Sequence, residues 1–214
     1  LLTAQAAGEL ASAVINHTGI TEANTLTTGE NGEILLLADM ARGTVQVGGT
    51  LDTSPLPLAG EGPGVRGGFI ETSAAKVKVQ EGAQVKAGHW LIDPTDVIVD
   101  TAMATTLQGQ LATGNATVQT TAGGSDPGDI RVEADIAWNN NTTLTLSAHR
   151  NIRILAAITA QHADGKVALE YGQSASDGVI GGETAAYDFG LTPSGFTGKI
   201  NLQAGNNFTT KLGS

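Results

Sequence analysis

Apolar residues recur along this chain in short alternating groups: Ile34-x-Leu36, Val45-x-Val47, Val77-x-Val79, Val97-x-Val99, Ile130-x-Val132, Leu144-x-Leu146, Ile152-x-Ile154, Val167-x-Leu169 and Ile200-x-Leu202. Alternation at period two sends every second side chain to the same face of an extended backbone, so each group predicts a short strand with one buried face. Gly, Asn, Asp and Ser collect between the groups, which is turn chemistry. The exception is the Ala-rich stretch over residues 3–15, whose spacing predicts one short N-terminal helix.

The strands repeat. DIRVEADIAW at 129–138 aligns on NIRILAAITA at 151–160, matching Ile130 with Ile152, Arg131 with Arg153, Val132 with Ile154 and Ile136 with Ile158 at an offset of 22 residues. Leu144-Thr145-Leu146 recurs as Val167-Ala168-Leu169 at an offset of 23. A fixed period of this size predicts an all-β fold, a parallel β-helix of about 20–23 residues per coil in which each strand lies on its counterpart one coil away. Arg131 is then expected outside, over Arg153. Roughly ten coils at ~4.8 Å each would give a rod of about 45 Å.

One stretch breaks the period. PLPLAGEGPGVR, residues 55–66, holds three of the six prolines, and across it Val45 and Val77 are 32 apart while Leu36 and Ile70, and Leu51 and Val85, are 34 apart. Subtracting its 12 residues leaves 20, 22 and 22, so 55–66 is expected to be a loop inserted into one continuous segment, 1–214. Gly62, Gly64 and Gly67 formally match G-x-G-x-x-G, but strand-like FIETSAAKVKV follows where a phosphate site needs a helix N-terminus.

Composition narrows the packing and the partners. Only 4% of residues are aromatic against 40% hydrophobic overall, so the core must be filled by Ala, Val, Ile and Leu; 29 glycines supply turns. A net charge of −10 argues against nucleic acid and anionic membrane surfaces, which both call for basic patches. No run has the length to insert in a membrane. The absence of Cys excludes disulfides and thiolate metal sites. Both ends of the chain fall inside the strand pattern, so it is expected to be a piece of a longer protein.

Candidate chemistry is sparse. Asp93, Asp96 and Asp100 lie close together in WLIDPTDVIVD, and clustered carboxylates on a β-helix can serve Ca²⁺ or general acid and base in a polysaccharide-cleaving enzyme; the plainer expectation is a turn with solvated side chains. GGSDPGD at 123–129 has a loosely calcium-loop-like composition and reads as a turn. His17, His89, His149 and His162 show no ligand spacing and read as surface or turn residues. Asn16, Asn115, Asn140, Asn141 and Asn207 open Asn-x-Ser/Thr tripeptides, potential glycan acceptors that also suit β-turns. The residues therefore predict no catalytic site, no cofactor and no metal.

GGFIETSAAKVKV, GHWLIDPTDVIV and GDIRVEADIAWNNNTTLTLSAHRNIRILAAITA, taken together, resemble the exoproteins of bacterial two-partner secretion, the filamentous-haemagglutinin-like and high-molecular-weight adhesins; LLTAQAAGELASAVINHTGITEA resembles the stretch that precedes their coils. The resemblance thins after about residue 175. It implies a right-handed parallel β-helix, export across a Gram-negative outer membrane through a partner transporter, a secreted or cell-surface location, and adhesion to a host surface glycan or protein. Some members acquire haem or carry a toxic C-terminal domain instead. The secretion domain that the transporter recognises has no counterpart here. PLPLAGEGPGVR itself resembles peptides encoded when a dispersed bacterial DNA repeat is read through, which implies an insertion with no inherited task.

Overall fold

The computed structural model describes residues 2–4, 14–22, 32–54, 67–123 and 126–214. Among them the chain is all-β, dominated by parallel sheets, with one α-helix. The strands come in passes. The first three passes are β1 (Leu2–Ala4), β2 (Val14–His17) and β3 (Ile20–Glu22); β4 (Glu33–Ala38), β5 (Thr44–Val47) and β6 (Thr50–Asp52); and β7 (Phe69–Ser73), β8 (Lys76–Val79) and β9 (Gln84–Lys86). The fourth is β10 (His89–Asp93), β11 (Val97–Val99) and the helix α1 (Thr101–Leu111). Then follow β12 (Asn115–Gln119), β13 (Ile130–Val132) and β14 (Ile136–Trp138), and β15 (Thr143–Ser147), β16 (Ile152–Ile154) and β17 (Ala157–Ala160). The last stretch is β18 (Lys166–Tyr171), β19 (Val179–Ile180), β20 (Glu183–Thr184), β21 (Tyr187–Asp188), β22 (Leu191–Thr192), β23 (Gly195–Phe196), β24 (Lys199–Asn201) and β25 (Phe208–Leu212).

Consecutive strands within a pass belong to different sheets. The first strands form one eight-stranded parallel sheet, β1-β4-β7-β10-β12-β15-β18-β25. The second strands form β2-β5-β8 and, separately, β11-β13-β16-β21; the third form β3-β6-β9 and, separately, β14-β17-β24. Parallel pairing in register stacks like positions, so alternation within each strand becomes continuous inner and outer rows. In the first sheet one inner row runs Ile34, Ile70, Trp90, Ala116, Leu144, Val167 and Phe208. These residues join one hydrophobic cluster that runs the length of the described chain.

Several expected pairings hold. Ile130, Arg131 and Val132 lie beside Ile152, Arg153 and Ile154, and Ile136 lies beside Ile158. Val45 pairs with Val77 and Leu51 with Val85. Leu36 pairs with Thr72 rather than Ile70, whose partner is Ile34, so that register is corrected by two residues, the smallest slip that keeps the same face inward. The period of 20–23 residues is also local: steps along the first sheet run from 20, Ile70 to Trp90, to 41, Val167 to Phe208. The longer steps hold α1, the loop between β12 and β13, and two antiparallel hairpins, β19–β20 and β22–β23. Eight strands at ~4.8 Å span about 34 Å, less than the length expected from ten coils.

Two sequence expectations meet the boundary of the described residues. The N-terminal helix is corrected at its ends, where Thr3 and Ala4 lie in β1 and Val14 and Ile15 in β2; residues 5–13 are outside the described set. Residues 55–66, with most of the glycine-rich motif, are outside it too. The residues flanking that stretch meet: the Gly68 N–H donates to Thr53 O at 3.0 Å, and the Thr53 N–H to Lys86 O at 2.9 Å.

The corner before β12 is tight. Asn115 N–H donates to Gly88 O at 2.9 Å, and a Cβ on Gly114 would overlap the Ala87 carbonyl oxygen. Glycine is required here by close approach of backbones, not by an unusual φ.

α1 stands where the third strand of its pass would be. Asp100, in extended backbone geometry, caps it by accepting the Met103 N–H at 3.0 Å. Met103, Ala104, Leu107 and Leu111 face inward and join the core. A helix directs its backbone groups along its own axis, so it cannot continue the ladder of β9 or of β14. Side chains take over. Gln110, fully buried, accepts the Ala87 N–H at 2.9 Å and donates to Ala87 O at 2.8 Å, so both backbone groups of Ala87 are met, and also reaches Asn115 O at 3.0 Å. Thr106 Oγ1 lies 3.1 Å from Ala83 O. On the opposite side Gln108 Oε1 accepts the Ala137 N–H at 3.1 Å, and Thr142 Oγ1 donates to Leu111 O at 2.5 Å.

Candidate functional site

Asp93, Asp96 and Asp100 flank β11, and the fold gives each a separate task. Asp93 ends β10, where its two carboxylate oxygens accept from Gln119 Nε2 at 3.3 Å and Thr121 Oγ1 at 3.2 Å. Asp96 Oδ1 accepts the Gly128 and Asp129 N–H groups, both at 2.7 Å, which ties the β12–β13 loop to the β10–β11 turn. Asp100 caps α1. Within GGSDPGD, Asp126 Oδ2 lies 2.8 Å from Thr95 Oγ1, and Asp129 meets Arg150 through two parallel bonds, from Nε at 2.9 Å and from the terminal nitrogen at 2.7 Å. Asp129 also accepts the Asn151 N–H at 3.0 Å.

The electrostatics follow from these contacts. Burial pushes the Asp93 carboxyl above the usual range, against the Thr121 and Gln119 bonds, and Glu71 adds to the rise. Asp96 is raised by burial and by the negative charges of Asp129 and Asp126, against its two backbone bonds. Burial opposes ionisation of Asp129 too, but the bonds from Arg150 and Asn151 and the Arg150 charge outweigh it and bring its pKa down. Such an arrangement braces a loop with charge-assisted bonds. Among the described residues no three His, Cys, Asp or Glu side chains converge as a metal site.

A raised carboxyl pKa means that the folded chain holds that proton more tightly than the unfolded chain does, so stability contributed at Asp93 falls as pH rises from the ordinary carboxylate range through the raised value. Asp93→Asn removes the buried charge and keeps an oxygen for Thr121. The variant is expected to melt above the parent at pH 7 and level with it at pH 3, as followed by circular dichroism; a lower melting point at pH 7 would show the carboxylate to be needed.

The histidines are dispersed, but two differ from the surface reading. His17 is buried in an inner row beside Val47, with Nδ1 2.7 Å from Gly48 O. His89 is half-buried on β10, with Nε2 3.0 Å from Thr117 Oγ1, and burial lowers its pKa. Of the asparagines, Asn16, Asn115 and Asn141 are exposed and Asn140 is half-buried. Asn115 Oδ1 accepts the Thr143 N–H, and Asn140 Nδ2 donates to Ala112 O at 2.8 Å. Asn207 is buried, with Nδ2 donating to Ala163 O at 2.5 Å, so a glycan there would require the last turn to open.

The features most open to a partner were not singled out from the sequence. Leu191 and Phe196 face one another across the β22–β23 hairpin and are 73% and 68% exposed, the two most exposed large apolar residues among those described. Behind them runs a chain of edge-on ring contacts: Phe196 to Phe189 with centroids 6.5 Å apart, Phe189 to Tyr187 at 5.9 Å and Tyr187 to Tyr171 at 5.2 Å. Four of the chain's eight aromatic residues thus lie in one run from core to surface. A local concentration of rings in a ring-poor sequence was the available signal.

Among the described residues these observations define an all-β chain of mainly parallel sheets, with Asp93, Asp96, Asp100 and Asp129 bonded internally and an apolar hairpin exposed at Leu191 and Phe196. No protein-family model matches it, and no well-characterised protein and no solved structure is significantly similar to it. No helix among the described residues is long and apolar enough to cross a membrane.

Proposed function

We propose that the chain is a segment of a right-handed parallel β-helix, a non-catalytic structural and adhesive rod within a large Gram-negative exoprotein that reaches the cell surface by two-partner secretion. The observation that carries this reading is the pass-by-pass order of strands, with every strand of the eight-stranded first sheet paired in parallel to the one a pass before. Right-handedness is favoured because parallel strands joined by crossovers are almost always wound that way. Stacked passes extend a surface along one axis without needing a large globular core, which suits a rod. The stretches that resemble the two-partner secretion adhesins support the same reading, and export would use a domain elsewhere in the parent protein.

The contact surface is the β22–β23 hairpin. Leu191 and Phe196 together expose roughly 250 Å², well under the ~800 Å² per partner of a stable protein complex, which favours the ring face of a host surface glycan. The folded chain is expected to bind immobilised host glycans or cells, and Phe196→Ser to weaken that binding by about tenfold while leaving the melting temperature within a few degrees. Folded protein that binds neither glycans nor cells would count against adhesion. Turnover of a polyuronate or neutral glycan, lost in Asp93→Asn, would replace the rod by a polysaccharide-cleaving enzyme.

A further inference from the structure

We propose that the α1 layer is a built-in boundary between two cooperative units, so that the strands before it open while those after it stay folded. The inference rests on the ladders alone and stands whether or not the rod is adhesive. Above and below this layer successive passes are joined by parallel ladders in all three series of sheets. At the layer two of the three are broken: β8 ends one sheet and β11 begins another, and β9 and β14 are separated by α1. Only the pairing of β7, β10 and β12 crosses without a gap.

What replaces the third ladder on the β9 side is a few side-chain bonds, chiefly the buried Gln110 amide to Ala87 and Thr106 to Ala83. Stability in stacked passes is close to a sum of each pass and its contacts with its neighbours, so the place where backbone ladders are lost is where cooperativity divides. The ladders set which unit yields first. The α1 pass is joined to the next one by two ladders, β10–β12 and β11–β13, but to the previous one by β7–β10 alone, so it belongs with the C-terminal unit, which thereby gains a pass and its contacts. The N-terminal unit, β4 to β9, is therefore the one that opens at lower cost, and β12 to β18 the one that persists.

Native-state hydrogen exchange read by mass spectrometry on the full chain, over a denaturant series below the melting transition, tests this. The expected result is two classes of amide divided at α1, with β4–β9 exchanging at lower denaturant than β12–β18. In Gln110→Ala the exchange of the first class should rise by about a hundredfold or more and that of the second by less than about twofold. One common opening for all strands in the parent chain would overturn the proposal, as would a division that falls elsewhere. If Gln110→Ala folds poorly, the parent chain's exchange pattern decides between these outcomes without it.

Discussion

Replacing Gln110 with Ala is expected to cost about 3–5 kcal/mol, a large share of the ~5–15 kcal/mol that holds a typical domain together. Gln110 is wholly buried; its amide answers Ala87 N–H and Ala87 O in buried bonds and reaches Asn115 O in a part-buried one. Truncation takes this partner from both buried groups of Ala87, and the loss of a desolvated group's bond costs more than the bond contributes. At the usual ratio for a chain of this size the melting temperature should drop by roughly 10 °C. Gln110→Glu should rescue little, because a carboxylate accepts from Ala87 N–H but turns lone pairs toward two carbonyls. Gln108→Ala, which loses one bond from the half-buried Ala137 N–H, should cost far less. Thermal unfolding of the three variants gives the ranking; equal losses at 108 and 110 would show that the helix is held by its apolar face alone.

Trp90→Ala should be comparably damaging. Trp90 is the largest fully buried side chain and sits in the inner row between Ile70 and Ala116, where the small neighbour makes room for the indole. Its Nε1–H donates to the buried Thr72 Oγ1 at 3.2 Å. Large-to-small replacement at such a site loses transfer free energy and leaves a cavity, ~3–5 kcal/mol in sum, and Thr72 loses a donor as well. Trp90→Phe keeps most of the volume and should cost roughly 1–2 kcal/mol, in line with other partial truncations. The chain has one other tryptophan, Trp138, buried with its Nε1–H directed at Thr142 O, so its fluorescence reports unfolding in the variant. A loss for Trp90→Ala no larger than for Trp90→Phe would mean that the inner row closes over the gap.

The strand faces were legible because burial alternates with the backbone itself. Arg131 beside Arg153 followed from matched residues at a constant step, and the structure adds the partners that make two stacked guanidiniums tolerable, Glu133 and Asp188. Leu36 was misread by two residues because a register shift of two preserves the inward face, leaving alternation blind to it. The helix went unread although Met103, Ala104, Leu107 and Leu111 follow helical spacing, since Thr101, Thr105, Thr106 and Gly109 lower its propensity and polar Gln110 suggests a solvent face. Asp100 was grouped with Asp93 and Asp96 as a carboxylate, when its position before that spacing was the mark of a cap.

Periodicity along the chain thus dictates which residues extend, which side of each strand turns inward, and that equivalent strands lie parallel, because these depend on neighbours one or two residues away and on repeats that carry their own register. What each polar group does depends on residues tens of positions distant. Asp96 is a loop clamp because Gly128 and Asp129 come to it, and Gln110 is a core residue because Ala87 lies across from it. Those partners become visible once the passes are stacked, when a buried donor or acceptor must find its complement in whatever backbone the fold has brought alongside.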